Sequence, residues 1–305
     1  MGILDEVHAI VDGVPINLNQ SRVGTYLRCR RKFAWGYYED IVPDRPTYFF
    51  EAGHAVHKVI ADVRGGKANE ADAGVQVVEE FKQDIAKFAK SNKVDYDIVS
   101  EQCAMLQTLM IAYFDHWKDD PDPYKPIALE AAGRVEVGEG SNVFIVYRTD
   151  ELALWHKQLW IVDHKTAKKL DTRDLLKYEM DLQITAYTYA ISKQLGKRVS
   201  GAIIDLMVKT QVPQFHREYF TRSDEELKEF EQEFVELARE IKLKLLRVRE
   251  GADWKTVFFK SPHECFSYGT CWYRDLCVND TEIRRMAFTK RVLDYVDTAS
   301  QEPSA

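Results

Sequence analysis

The chain has 305 residues, a net charge of −7 and a pI of about 5.7, so it lacks the overall basic charge that is typical of nucleic-acid-binding proteins, and any such binding would need a local basic surface. No stretch of about 18 residues, the length that spans a membrane, is without charge, and no signal segment is evident. We therefore expect no membrane association and a location in a reducing cytoplasm. Five cysteines, three of them near the C-terminus, argue against a disulfide framework.

Periodicity and turn signals divide the chain into helical and β-rich parts. The predicted elements are a hairpin or arm within 1–20, helices over 21–38, 49–64, 70–89 and 96–118, strands over 127–137, 143–155 and 158–165 in a meander, a helix over 171–195, strands over 199–209 and 214–220, and a helix over 223–250. The corresponding regions are an N-terminal arm with two helices (1–64), a helical insertion (65–120), a mixed α/β core (121–260), a segment with three cysteines (261–280) and a tail (281–305) whose end, 298–305, we expect to be disordered.

The strand predicted over 158–165 ends in Asp163-His164-Lys165 after an apolar run. Because side chains two residues apart in a strand share a face, Asp163 and Lys165 should point the same way. A carboxylate and an ammonium at the end of a buried strand are unfavourable unless they pair with each other or with a metal. The pair therefore suits metal-assisted hydrolysis, in which the lysine orients or helps to deprotonate the attacking water. Taken alone, such a pair is more often a solvated salt bridge.

A second carboxylate, Asp150, lies within the strand predicted over 143–155. In a meander this strand is next to the strand that carries Asp163, and two close carboxylates repel unless a cation lies between them. Hard oxygen ligands favour Mg²⁺ or Mn²⁺, and a nitrogen ligand from His57 would shift the preference towards Mn²⁺. Gly53, one helical turn before His57, would allow a ligand to approach the imidazole closely. The alternatives are an exposed polar residue for Asp150 and a packing or surface residue for His57.

The helix predicted over 21–38 carries a basic run with one cysteine, Cys29, inside it. The cations are Arg28, Arg30, Arg31 and Lys32. The run is either a solvated face or, with the neighbouring aromatic residues, a surface that follows a phosphate backbone and stacks bases.

The motifs together resemble those of the PD-(D/E)xK nuclease superfamily, most closely its RecB/AddB-like exonuclease branch, which includes nucleases of CRISPR adaptation. The matching motifs are, in chain order, Gly53-x-x-x-His57, Asp150, Asp163-x-Lys165 and Gln183-x-x-x-Tyr187. The resemblance covers 21–38, 53–59 and 127–277, and it implies an α/β (α+β) restriction-endonuclease-like core with a central mixed sheet flanked by helices. Two departures are Tyr147, where the family usually has glycine, and His164, where it commonly has tyrosine.

The resemblance also implies a role for each matching residue. Asp150, Asp163 and Lys165 would be catalytic; His57, Asp150, Asp163, the backbone carbonyl of His164 and, as a weaker candidate, Glu130 would bind Mg²⁺ or Mn²⁺; and Gln183 and Tyr187 would bind DNA and support the site. From their charge and not from the resemblance, we expect Arg28, Arg30, Arg31 and Lys168 to bind the DNA backbone.

Members of the same branch often frame the nuclease core with an iron–sulfur cluster held by one cysteine before the core and three after it. Cys29, Cys265, Cys271 and Cys277 match that arrangement, although the family's C-terminal spacing usually begins with a tighter Cys-x-x-Cys. Four thiolates can hold a 4Fe–4S cluster, which would staple the two ends of the chain. A Cys₄ zinc site is the less favoured alternative, because paired zinc ligands are usually two to four residues apart.

The resulting hypothesis is a metal-dependent deoxyribonuclease, exonuclease-like on DNA ends or single strands, in a bacterial, archaeal or phage-infected host cytoplasm. The alternative is a catalytically inactive iron–sulfur module of the same fold that binds DNA or acts as a scaffold. The resemblance leaves open protein partners from recombination, repair or CRISPR adaptation, and also a homo-oligomer.

Overall fold

The computed structural model describes residues 11–88, 94–170, 175–267 and 269–292. We number its helices α1 (Gln20–Arg28), α2 (Arg30–Tyr37), α3 (Tyr48–Arg64), α4 (Ala73–Ala86), α5 (Tyr96–Trp117), α6 (Leu182–Leu195), α7 (Asp224–Arg249), α8 (Trp254–Val257), α9 (Arg274–Val278) and α10 (Glu282–Arg285). The strands are β1 (Ile16–Leu18), β2 (Ile41–Pro43), β3 (Lys125–Leu129), β4 (Ala132–Glu136), β5 (Val143–Arg148), β6 (Glu151–Trp155), β7 (Gln158–Ala167), β8 (Val199–Val208), β9 (Gln214–Thr221) and β10 (Phe288–Lys290).

The chain forms two compact units, each built from separate stretches of sequence. Among the described residues, the first unit takes those within 1–44, 133–147 and 224–305, and the second takes those within 45–132 and 148–223. The helices predicted as an insertion, 65–120, lie entirely within the second unit.

The second unit is built on a five-stranded mixed sheet in the order β3-β6-β7-β8-β9. Strands β6 and β7 form an antiparallel hairpin, whose two turn residues, His156 and Lys157, have positive φ angles of 48° and 65°, as a tight turn of type I′ requires. Strands β7 and β8 are parallel and are connected through α6, while β3 and β9 are antiparallel edge strands.

Helices cover both faces of this sheet. Helices α3, α4 and α5 bury a large apolar cluster that also includes Met207 of β8, whereas α6 contacts β8 and places Gln183 against Asp163 on the opposite face. Because side chains alternate along β7, Asp163 and Lys165 face α6, and His164 faces the other helices. The predicted mixed α/β fold with a central mixed sheet flanked by helices is thus confirmed.

The first unit contains a three-stranded sheet in the order β1-β5-β4 and an antiparallel pair formed by β2 and β10. Its C-terminal part packs Tyr273 and Leu276 against Trp35 of α2. This aromatic cluster also contains the side chains of Cys271 and Cys277.

Several predicted elements are wrong in detail. The strand predicted over 127–137 is interrupted at Glu130, whose φ of +50° ends β3, and the strand predicted over 143–155 is interrupted at 149–150. In both cases the part before the interruption and the part after it belong to different sheets, so the three predicted strands do not form one meander.

Two N-terminal predictions also differ from the structure. The helix predicted over 21–38 is broken at Cys29, whose backbone is extended with φ −152° and ψ 108°. Within 1–20, the described residues contain a strand, β1, that pairs in parallel with β5 instead of forming a hairpin.

Within the helix predicted over 171–195, the structure has a 3₁₀ turn, Lys177–Met180, and a separate α-helix that begins at Leu182, where the Asp181 side chain caps the first amides. Residues 171–174 of that prediction, and the disorder predicted for 298–305, lie outside the described residues. None of the described helices is both long enough and apolar enough to cross a membrane.

Candidate active site

Asp163, Lys165 and Gln183 form a closed triangle of polar contacts. The Nζ of Lys165 lies 2.6 Å from Oδ2 of Asp163, the Gln183 Nε2 donates to Oδ1 of Asp163 at 2.9 Å, and the Lys165 Nζ donates to Oε1 of Gln183 at 3.2 Å. Gln183 can reach both residues because it lies in the first turn of α6, which the Asp181 cap fixes. The amide of Gln183 therefore sets the position of the acid and of the base.

Burial and mutual charge set the protonation of this pair. Burial raises the pKa of Asp163, Lys165 opposes that change, and the charge of Asp150 adds to it, so the pKa of Asp163 is raised overall. Burial alone would lower the pKa of Lys165, but the adjacent Asp163 carboxylate outweighs it and raises the pKa of the ammonium. Lys165 is therefore a cation near neutral pH.

Asp150, in the short connection between β5 and β6, is held from two sides. The Nδ1 of His57 lies 2.9 Å from Oδ1 of Asp150, and the backbone N–H of His164 donates to Oδ2 at 2.9 Å. Burial alone would raise the pKa of Asp150, but the contact with His57 and the charge and N–H of His164 lower it to about 2. Asp150 is thus a carboxylate across the physiological pH range.

Some of the candidate residues line one cleft of about 780 Å³ in the second unit, although Asp163 and Gln183 are not among its lining residues. His57, Glu130, Asp150 and Lys165 contribute to its wall. Burial raises the pKa of Glu130, and the charge of Asp150 adds to this effect, which shows that these two carboxyl groups are near enough to repel. Gly53 also lines the cleft, and a Cβ added there would meet no atom within 4 Å.

On the face of β7 opposite to Asp163 and Lys165, the His164 side chain lies among buried charges that the sequence patterns did not predict. Its Nδ1 is 3.5 Å from Asp205 and its Nε2 is 3.8 Å from Glu151. Burial alone would lower the pKa of His164, but these two carboxylates raise it to about 9. Arg217 and Tyr113 also contact Asp205, with the Tyr113 hydroxyl donating at 2.8 Å.

The only sequence signal for this buried cluster was Asp205 itself, a single acid inside the apolar run of β8. Burial alone would raise the pKa of Asp205, but His164, Arg217 and Tyr113 lower it to about 2. The cluster fixes His164, and with it the backbone between Asp163 and Lys165.

The other predicted DNA-binding or supporting residues lie in different environments. Tyr187 is buried in α6, whereas Lys168 is exposed just after β7. In the first unit, Arg28 is exposed, Arg30 pairs with Glu240 at 3.1 Å, and Arg31 is buried and donates to backbone carbonyls.

The four cysteines that were predicted to act together are all in the first unit. Burial raises the pKa of Cys271, and the nearby thiols of Cys265 and Cys29 contribute to this rise. Burial likewise raises the pKa of Cys277, with contributions from Cys271 and Cys29, and the Trp35 Nε1 donates to its sulfur at 3.3 Å. The thiols therefore interact with one another, while Cys103 of α5 belongs to the second unit.

Neither metal site is assembled as a coordination cage: in the parts of the chain that the structure describes, no three His, Cys, Asp or Glu side chains are grouped so as to hold a metal ion. Asp163 instead faces Lys165 and Gln183, and Asp150 faces His57. The donor chemistry nevertheless fits a hard divalent cation: the charge of Asp150 raises the pKa of both Glu130 and Asp163, and a cation between such carboxylates would relieve their repulsion. Four cysteines in one unit have the chemistry of an iron–sulfur ligand set.

The chain was compared with protein-family models, curated proteins and solved structures. A model of the PD-(D/E)XK nuclease superfamily matches residues 17–278, a range that contains every candidate residue above. No curated protein matches the chain. Among solved structures, the chain is similar to the crystal structure of a candidate exonuclease from Eubacterium rectale, with 14% identity, coverage of 98% of this chain and 99% of that chain, and a TM-score of 0.49.

Proposed function

Because the chain belongs to the PD-(D/E)XK nuclease superfamily, we propose that it is a metal-dependent deoxyribonuclease with exonuclease-like action on DNA ends or single strands. The observation that carries this proposal is the triangle of Asp163, Lys165 and Gln183 in the same unit as the Asp150–His57 pair. Two carboxylates and a partly buried ammonium close to one cleft are the groups that phosphodiester hydrolysis needs.

Three side chains of the site would have distinct roles in phosphodiester hydrolysis. Lys165, kept cationic by Asp163, would stabilise the negative charge of the phosphodiester and orient the attacking water. Gln183 would be a positioning residue, because its amide group hydrogen-bonds to both Lys165 and Asp163. His57 would hold the Asp150 carboxylate and add a nitrogen donor.

Asp150, Asp163, His57 and the backbone carbonyl of His164 would hold a Mg²⁺ or Mn²⁺ ion, with Glu130 as a further oxygen donor. A bound divalent ion lowers the pKa of water and neutralises charge that develops on the phosphate. The raised pKa of Asp163 supports this assignment, because a cation in place of the Lys165 contact would favour the ionised carboxylate.

We assign DNA backbone contacts to Lys168 and Arg28, which are both exposed. Arg30 and Arg31 are better explained as structural residues, since Arg30 pairs with Glu240 and Arg31 is buried against backbone carbonyls. Tyr187, which is buried in α6, would support the site through packing.

In the first unit, we propose that Cys29, Cys265, Cys271 and Cys277 bind a 4Fe–4S cluster. Neighbouring thiols contribute to the raised pKa values of Cys271 and Cys277, and the Trp35 N–H donates to Cys277; both observations support this assignment, because hydrogen bonds to ligating sulfur tune such clusters. The tight packing of Trp35 with Tyr273 and Leu276 would shield the cluster from solvent.

A cleavage assay tests the nuclease proposal. End-labelled single-stranded and duplex DNA would be incubated with the wild type and with Asp150→Asn, in Mg²⁺, in Mn²⁺ and in a chelator. We expect wild-type cleavage that needs a divalent ion, and a loss of about 100-fold or more in the variant.

The matched control is Asp122→Asn, because Asp122 and His156 form an exposed pair of the same kind, 3.1 Å apart. That variant should cleave like the wild type. Cleavage by Asp150→Asn at the wild-type rate, or no cleavage by the wild type under any of these conditions, would refute the proposal.

A further inference from the structure

An aromatic and basic patch lies at the start of α3 and the ends of β7 and β8. We define it by Phe49, Phe50, Lys168 and Lys209 and call it the rim patch. Phe49 and Phe50 line the active-site cleft and are 51% and 66% exposed. Aromatic side chains this exposed in a charged cleft are a typical feature of surfaces that stack bases.

The two lysines are anchored on one ring. The Nζ atoms of Lys168 and Lys209 lie 4.6 Å and 5.2 Å from the centroid of the Phe49 ring, within the range of cation–π attraction. The backbone N–H of Lys209 donates to the carbonyl of Ala167 at 2.8 Å, which ties together the parallel ends of β7 and β8. Phe49 therefore positions two lysine ammonium groups at the C-terminal ends of β7 and β8.

These cations repel each other. Burial lowers the pKa of Lys209, and the charge of Lys168 lowers it further. An anion placed between the two ammonium groups would remove this repulsion. Phe49, whose ring both ammonium groups contact, lines the same cleft as Lys165, so such an anion would lie at the mouth of the cleft that holds the candidate catalytic lysine.

We infer that the rim patch is a subsite for one unpaired nucleotide next to the scissile phosphate, with its phosphate between Lys168 and Lys209 and its base stacked on Phe50. This inference rests on the proposed nuclease function and specifies its substrate: DNA whose strand is single at that position. A paired base is stacked inside its own duplex, so it cannot reach a ring on the cleft wall without being unpaired. Phe49 is a positioning residue that holds the two lysines.

The test compares binding of a short single-stranded oligodeoxynucleotide and of a blunt duplex, by fluorescence anisotropy without divalent ions, for the wild type, Phe50→Leu and Phe50→Trp. Phe50→Leu should weaken single-strand binding by about tenfold and leave blunt-duplex binding unchanged. Phe50→Trp should restore the affinity and give tryptophan quenching on binding that exceeds the wild-type signal. Tyr96→Leu, which removes an exposed aromatic ring that does not line the cleft, should have no effect.

The lysines give an independent readout. Lys168→Gln and Lys209→Gln should each reduce the salt dependence of single-strand binding, with a change in slope of about 0.7 on a double-logarithmic plot. Phe49→Leu should reproduce the lysine effect because it releases both cations. Lys197→Gln, an exposed lysine beyond the end of α6, is the control and should leave the slope unchanged.

The outcomes separate this inference from the proposed function. If the wild type cleaves DNA but Phe50→Leu binds single strands as the wild type does, or loses duplex binding equally, the subsite is refuted and the nuclease proposal stands. If the wild type fails to cleave DNA but the variants lose single-strand binding as described, the subsite stands and the nuclease proposal fails.

Discussion

The Nζ of Lys165 and the Oδ2 of Asp163 are 2.6 Å apart on one face of β7, and Gln183 of α6 bonds to both. This contact keeps the ammonium protonated by raising its pKa, while burial and Asp150 raise the pKa of the carboxyl group. The arrangement favours a lysine that acts as a positive charge. It also means that a divalent ion at Asp163 must compete with Lys165.

Lys165→Met should reduce kcat for DNA cleavage by about 10²–10³-fold, because it removes a cation from beside the reacting phosphate. Binding of Mn²⁺, measured by calorimetry, should be retained or strengthened, since Asp163 loses its competing partner. Lys197→Met is the control for loss of a lysine and should leave both quantities unchanged. Weaker Mn²⁺ binding by Lys165→Met would contradict the competition between lysine and metal.

Gly53→Ala should separate stability from activity. Gly53 is inside α3 and the space for a Cβ is open, so alanine should raise the free energy of unfolding by about 0.5–1 kcal/mol. If the substrate approaches His57 over this glycine, cleavage should fall although the protein is more stable. Gly24→Ala in α1, where the space is equally open, should give the same stabilisation without loss of activity. Full activity in Gly53→Ala would show that nothing approaches the helix there.

Asp205→Asn should lower the free energy of unfolding by about 3–5 kcal/mol at neutral pH, because it leaves the buried cations of Arg217 and His164 without their shared carboxylate. The pKa of Asp205 is lowered from 3.8 to about 2 in the folded protein, so its ionised form stabilises the fold above about pH 4. That contribution is lost as the pH falls towards 2.

Chemical denaturation of the wild type and Asp205→Asn across this pH range measures the effect. The difference between them should be constant between about pH 4 and 6.5, shrink below pH 4, and shrink again as the pH rises towards 9, because Asp205 also raises the pKa of His164 from 6.5 to about 9. Asp122→Asn, at an exposed position, should change stability by less than about 0.5 kcal/mol at every pH. A difference for Asp205→Asn that does not change with pH would contradict the assigned ionisation.

Cys271→Ser should abolish the brown colour, the visible absorption and the bound iron of anaerobically purified protein, if the four cysteines bind one cluster. About four irons and four sulfides per wild-type chain are expected, and Cys103→Ser should keep them because Cys103 lies in the other unit. One zinc per chain and no iron in the wild type would show that the cysteines form the alternative Cys₄ zinc site and not an iron–sulfur cluster. Loss of iron in both variants would contradict the assignment of ligands.

Sequence patterns predicted the local parts of this structure well. The apolar periodicities of α3, α5 and α7 and the alternation along β7 depend on residues close in sequence, so they identify the helices and the shared face of Asp163 and Lys165. The mixed sheet with helices on both faces followed from the same patterns together with the family motifs.

The parts that were missed depend on contacts between distant segments. Nothing in the sequence of residues 127–137 indicates that Glu130 adopts a left-handed backbone conformation. Nor does it indicate that the strands before and after Glu130 join different sheets. Likewise, the charged partners of His164 come from β6 and β8, and only Asp205, an isolated acid in an apolar strand, indicated that a buried charge cluster exists. Cys29 similarly ends a helix that its neighbours in sequence would continue.

The most direct test of the central claim measures DNA cleavage and DNA binding together for the wild type and Asp163→Ala, with Mn²⁺ present for cleavage and absent for binding. We predict that Asp163→Ala loses cleavage by at least about 100-fold and binds single-stranded DNA as tightly as the wild type. Metal-dependent cleavage that survives in Asp163→Ala, or a wild type that binds DNA without ever cleaving it, would contradict an active site built on Asp163 and Lys165, and the second result would identify the chain as an inactive DNA-binding module of this fold.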